Sequence, residues 1–170
     1  MSDASGEDLA ELRTIADYQF GAGAGAALFP RAGGDESETE RLTIHRSTSG
    51  RPRQVVATEG RVVSYGTDGR FTLGVVGGRR LVAGLERPKA RVVVGDESAP
   101  FVRDGKNAFA KFVREVDPAV RPGDEVAVVL DDDTVLGVGR AELSADAMGD
   151  FETGMAVSIR EGAGGEGDEE

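Results

Sequence analysis

Hydrophobic positions change their period partway along the chain. Near the start, apolar residues fall at Leu9, Leu12, Ile15 and Ala16, a spacing that predicts a helix over residues 5–19. Ser5 is placed to cap it, with an acid at Asp8 three residues on. From residue 42 the period drops to two. LTIHRS (42–47) alternates, and QVVATEGRVVSYGTDGRFTLG (54–74) contains three short β-rich runs. Glu59-Gly60 and Thr67-Asp68-Gly69 separate those runs and suit tight turns, Asp68-Gly69 being the better hairpin signal. A second helix is expected over residues 76–85, and ERPKA (86–90), with Pro88, reads as a linker.

The second half is mostly strand. RVVVG (91–95) reads as one, ESAPFVRD (97–104) as a short helix closed by Gly105, and NAFAKFV (107–113) as one half-buried strand. RPGDEVAVVL (121–130) places a turn before a strand. TVLGVGRAEL (134–143) gives another, entered from Asp131-Asp132-Asp133. SADAMGD (144–150) suits a helical turn, GMAVSIR (154–160) a last strand, and EGAGGEGDEE (161–170) an unstructured tail. Short strands spaced by turns suggest a small closed barrel.

Charge adds a second pattern. Residues 41–91 hold 11 Arg and Lys against 3 acids, inside a chain of net charge −11. Two readings follow: a surface that faces phosphate, or arginines paired with acids of the neighbouring segments. The 17 Arg, 3 Lys and 31 acids together fit a protein adapted to high internal salt. In such a cell screening shortens electrostatic reach to a few Å, and an RNA binder leans on shape, stacking and hydrogen bonds.

Candidate chemistry is sparse. With no cysteine, disulfides, thiolate metal sites and cysteine nucleophiles are excluded. His45 is the one histidine, which leaves no His pair for zinc, and no G-x-S-x-G elbow is present. Asp131-Asp132-Asp133 reads as a solvated turn before it reads as a cation site. FGAGAGAALFP (20–30) is dense in glycine, but a helix precedes the glycines where a dinucleotide loop needs a strand. Tight turning and close packing explain them better than a phosphate cradle. No apolar run approaches the roughly 20 residues of a membrane helix, and the acidic N-terminus has no basic signal region. A cytoplasmic protein without cofactor is expected.

Residues RVVVGDESAPFVRDGKNAFAKFV (91–113), PGDEVAVVLDDDTVLGVGRAEL (122–143) and GMAVSIRE (154–161) follow one another in the order of a PUA domain, which this half resembles. DYQFGAGAGAALFP (17–30) and TSGRPRQVVATEGRVVSYGTDGRFTLGVVGGRRL (48–81) resemble the small domain that precedes the PUA module in archaeosine tRNA-guanine transglycosylase and archaeosine synthase. The resemblance implies an α+β fold: a small α+β domain over 8–87, then a PUA-type β-barrel over 88–161. Disordered ends over 1–7 and 162–170 are expected to flank them. Those enzymes carry a catalytic barrel and a cysteine zinc site upstream; neither has a counterpart here, so a non-catalytic role is expected.

The resemblance also implies where RNA, a tRNA or an rRNA, would lie: against the short helix, the glycine loop after it, the next strand and the last strand. Carried over residue by residue, these are Gly105, Lys106, Asn107, Ala108 and Phe109, then Val157, Ser158 and Arg160. Gly105 would allow close backbone approach, Lys106 contact phosphate, Asn107 a base or ribose edge, and Arg160 hydrogen-bond or stack. For Phe109 and Val157, core packing is the plainer reading; for Lys106 and Arg160, surface charge is an equal one. Arg51, Arg53, Arg61, Arg70, Arg79 and Arg80 form a possible basic surface if they share a face. The partner is then RNA, an RNA-modification enzyme that this chain would dock on, or both.

Overall fold

In the computed structural model the apolar stripe of the first helix is its buried face: Leu12, Ala16 and Phe20 are covered along α1 (Gly6–Phe20). The structure describes residues 2–3, 6–30, 42–150 and 153–164; Ser5, expected to cap α1, lies outside them. The chain divides into two compact units, Met1–Leu85 and Glu86–Glu170.

In the first unit, α1 is followed by the short α2 (Ala24–Leu28). The glycines act as the packing argument anticipated. A Cβ on Gly25 would collide with the Arg13 carbonyl oxygen, so only glycine lets α2 press against α1. Asp17 Oδ1 accepts the Gly25 N–H at 2.7 Å. Strands β1 (Ser2–Asp3), β2 (Thr43–Arg46), β3 (Pro52–Ala57), β4 (Gly60–Tyr65) and β5 (Phe71–Leu73) pair in sequence order as an antiparallel sheet. Ser2–Asp3 thus pairs with β2, although the sequence assigned it to a disordered end. Helix α3 (Val75–Gly84) follows β5, and Phe29, Ile44, Val62, Phe71, Leu73 and Leu81 are fully buried in this unit.

The second unit is a six-stranded sheet rolled toward closure. Its strands are β6 (Arg91–Val94), β7 (Ala108–Phe109), β8 (Val113–Val116), β9 (Glu125–Val129), β10 (Val135–Ala141) and β11 (Met155–Gly162). They run in the order β7-β11-β10-β9-β6-β8. Helices α4 (Ala99–Arg103) and α5 (Ala145–Asp150) cover the sheet. Val92, Val94, Val102, Val126, Val128, Leu136, Met148 and Val157 form the core.

NAFAKFV is not the single strand expected. A 3₁₀ turn over Ala110–Phe112 interrupts it. Before the turn the chain pairs with β11; after it, with β6. That transfer joins the two edges of the sheet, so the break is what brings the barrel round. The last strand also runs beyond the expected end. Gly162 lies in β11, and Gly164 donates its N–H to the Arg103 carbonyl at 2.7 Å. A side chain at either glycine would strike that carbonyl, so a composition that reads as disordered is what permits this packing.

Candidate nucleic-acid interface

Gly105 ends α4. Its N–H donates to the Val102 carbonyl and that of Lys106 to the Phe101 carbonyl, both at 2.9 Å. Gly105 takes φ +90°, a region that other residues enter only with strain. Nothing lies within 4 Å of the position a Cβ would occupy, so the backbone here is open to approach. The chain then enters β7, which pairs with the last strand as Ala108↔Val157 and Phe109↔Met155. Asn107 Oδ1 accepts the Ile159 N–H at 2.9 Å. The glycine corner, β7 and β11 therefore form one continuous ledge.

The side chains on that ledge divide by environment. Ala108 and Val157 are buried in the core. Phe109 is 46% exposed, against the core packing that its residue type suggested, and Phe101 of α4 is 56% exposed. Lys106 is exposed and sits 3.6 Å from the equally exposed Asp104, a pair of little energetic consequence. Ser158 is half-buried. Arg160 Nη1 donates to Glu125 Oε2 at 3.0 Å while Nη2 engages Oε1, so its guanidinium already has a protein partner.

Phe101, Lys106, Asn107, Phe109, Lys111, Phe112, Thr153 and Gly154 line a groove of about 480 Å³ with Ser98 and Val102. Lys111 Nζ stands 5.1 Å from the centroid of the Phe112 ring. Sequence reasoning missed Phe101, Lys111 and Phe112. The alternation of Lys and Phe in KNAFAKF was the available signal, and reading it as one strand hid the last two.

The arginines of the first unit divide as well. Arg51 Nη2 engages the Gly66 carbonyl, and its guanidinium lies 4.6 Å from the Tyr65 ring centroid. Arg61 donates to Ser64 Oγ at 2.9 Å and to the Leu73 carbonyl at 3.4 Å. Arg80 donates to the Leu28 carbonyl at 2.9 Å, with Glu59 at 3.6 Å; burial lowers its pKa. These three brace the fold. Arg53, Arg70 and Arg79 are exposed.

His45 pairs with Gln54 across the sheet. The acidic turn is not merely solvated. Asp131 and Asp133 accept hydrogen bonds from Arg87 at 3.3 and 2.9 Å, and the buried Arg91 reaches Asp133 at 3.1 Å. Among the described residues no group of three or more His, Asp or Glu is arranged to hold a metal ion, and no helix is long and apolar enough to cross a membrane.

Residues 10–88 match the family described as the patch-forming domain C2 of tRNA-guanine transglycosylase, and residues 90–163 match the PUA domain. The tRNA-guanine(15) transglycosylase of Methanothermobacter thermautotrophicus is 40% identical over 158 residues, 92% of this chain and 23% of that protein. The enzyme of the same name from Pyrococcus abyssi is 43% identical over 152 residues, 89% of this chain and 24% of its own. The chain thus spans about a quarter of the length of these relatives. A conserved PUA domain protein from Thermoplasma acidophilum shares the fold, with a TM-score of 0.66 at 18% identity over 96% of this chain and 93% of that one. A hypothetical protein from Pyrococcus horikoshii does so too, at 0.69 and 19% over 95% and 93%. The chain belongs to the PUA-domain proteins in which a C2 domain of the tRNA-guanine transglycosylase type precedes the PUA module.

Proposed function

We propose that this protein binds structured RNA, tRNA first among the candidates, in the service of RNA modification, and performs no chemistry of its own. One observation carries the reading. Two phenylalanines, Phe101 and Phe109, stand exposed at a groove whose lining includes Lys106 and Asn107, the two residues after Gly105. Exposed aromatic rings are costly to keep in water and well suited to stack on unpaired bases, at about 1–3 kcal/mol per base. Residues 92–161 carry 15 acids against 7 basic residues. A phosphate-led grip is unfavourable on such a surface, and stacking with backbone contact at Gly105 is favoured over it. Stacking is also less sensitive than a phosphate grip to screening by salt.

The relatives supply the connection to modification, being transglycosylases named for tRNA. A second reading is a subunit that docks on an RNA-modification enzyme, favoured by the occurrence of these two domains in proteins named as transglycosylases. A gel shift with total tRNA at low and at high KCl tests RNA binding. A shift that persists at high KCl and is lost in Phe101→Ala/Phe109→Ala supports it; no shift at either salt rejects it. Co-purification from cells separates the second reading, which fails if RNA but no enzyme accompanies the protein.

A further inference from the structure

We infer that the acidic segment 165–170 regulates the ledge through its charge, opposing RNA at low salt and ceasing to do so as salt rises. This inference rests on the RNA reading above and adds to it a control on affinity. Strand β11 ends against the glycine corner of the ledge. A Cβ on Gly162 would strike the Arg103 carbonyl oxygen and lie 2.7 Å from the Gly105 nitrogen. Gly164 donates its N–H to the same Arg103 carbonyl at 2.7 Å. The two glycines thus fasten the end of β11 to the end of α4. Lys106 follows Gly105 directly, and its side chain is 63% exposed.

The charges that come next are all of one sign. Glu166, Asp168, Glu169 and Glu170 stand in the segment, with no Lys or Arg among them. A chain advances at most about 3.6 Å per residue, so Glu166 is tethered within roughly 7 Å of Gly164 and Glu170 within roughly 22 Å. The covalent tether alone keeps four carboxylates near the place where an RNA phosphate would approach Lys106.

Salt sets the size of the effect. At about 10 Å in water, one carboxylate repels one phosphate charge enough to lower affinity about twofold, and four carboxylates lower it roughly tenfold. At 0.01 M salt the Debye length is about 30 Å, longer than the tether, and the repulsion is felt in full. Near 1 M it is about 3 Å, and the repulsion is screened away. The attraction between phosphate and cations runs in the opposite direction, weakening as salt rises. The segment therefore offsets part of that loss and keeps RNA affinity more even across salt.

Fluorescence anisotropy of labelled tRNA over a KCl series tests this with three proteins. They are the wild type, the fourfold variant Glu166→Gln/Asp168→Asn/Glu169→Gln/Glu170→Gln, and Glu7→Gln/Glu11→Gln as the charge control. Glu7 and Glu11 are exposed on α1. The fourfold variant is expected to bind roughly tenfold tighter than wild type at about 0.01 M KCl and equally near 1 M, so its log K falls more steeply with log salt. The control is expected to gain less per charge removed. Unchanged affinity of the fourfold variant at low salt overturns the inference. So does a gain that persists undiminished near 1 M, or an equal gain per charge in the control, which would assign the effect to net charge. Any of these leaves the RNA reading intact. Failure of wild type and fourfold variant alike to bind RNA removes both.

Discussion

Arg160 and Glu125 meet across an intervening strand. Arg160 Nη1 lies 3.0 Å from Glu125 Oε2, its other terminal nitrogen holds Oε1, and β10 runs between their two strands. Glu125 is only 7% exposed. Its carboxylate is therefore held mostly away from water and depends on the guanidinium for compensation. The arginine that family resemblance assigns to RNA serves first as a tether for β11. Arg160→Gln is expected to destabilise the protein by about 2 kcal/mol, the cost of leaving a buried carboxylate under-partnered. Urea unfolding measures it. RNA affinity of the folded fraction should fall far less than in the Phe109 variant; an equal fall at unchanged stability would make Arg160 a direct contact.

Phe109 should behave in the opposite way. Its ring is nearly half exposed, so Phe109→Ala removes little burial, and stability should change by less than about 1 kcal/mol. Loss of a stacking platform should weaken RNA binding by about 1–3 kcal/mol. Phe101→Ala should do the same if one base contacts both rings. Thermal melts and anisotropy on the same samples separate the two effects. A Phe109→Ala protein with full affinity would exclude the groove as the stacking site.

What the sequence revealed and what it concealed follow from the range of the forces involved. The periodicity of Leu12 and Ala16 is local and specifies α1. Asp68-Gly69 is local and specifies a hairpin. NAFAKFV alternates as a strand does, but closing the barrel requires the chain to leave β11 and join β6, a demand made by distant residues. Gly162 and Gly164 look like tail composition until the Arg103 carbonyl is seen above them. Phe109 could not be placed from its type, since its exposure depends on what fails to cover it. Charge counting found the basic segment correctly. It did not reveal that Arg51, Arg61 and Arg80 engage backbone carbonyls, because such partners carry no sequence signature.

Asp132 offers a pH test of the acidic turn. Its carboxyl is held below its usual pKa chiefly by the Thr134 side-chain hydroxyl, helped by the Thr134 N–H at 3.0 Å. A carboxylate with a depressed folded-state pKa contributes stability above the unfolded value. That contribution is lost as pH falls through the folded one. Thr134→Val removes the hydroxyl and keeps the N–H. NMR titration of Asp132 should then show its pKa moving back up toward the ordinary carboxylate range. An unmoved pKa would assign the effect to the backbone alone.

Arg87 links the composition of the chain to its stability. Its guanidinium donates to Glu115 at 3.0 and 3.1 Å, to the Asp131 carbonyl at 2.8 Å and to Asp133 at 2.9 Å. The Glu115 hydrogen bond is the main reason its pKa is raised. Without it, three carboxylates stay together with Arg91 as their remaining basic neighbour among the contacts described. Arg87→Gln should lower stability by roughly 1 kcal/mol at low salt, the magnitude fitting a partly exposed network. The penalty is repulsion across a few Å, so it should shrink as KCl approaches molar strength, where the Debye length falls to about 3 Å. The wild type, at net charge −11, should itself melt higher as salt rises. Thermal melts of both proteins across one KCl series decide the matter. A gap that stays constant with salt would mean that Arg87 acts through hydrogen-bond geometry, with charge incidental.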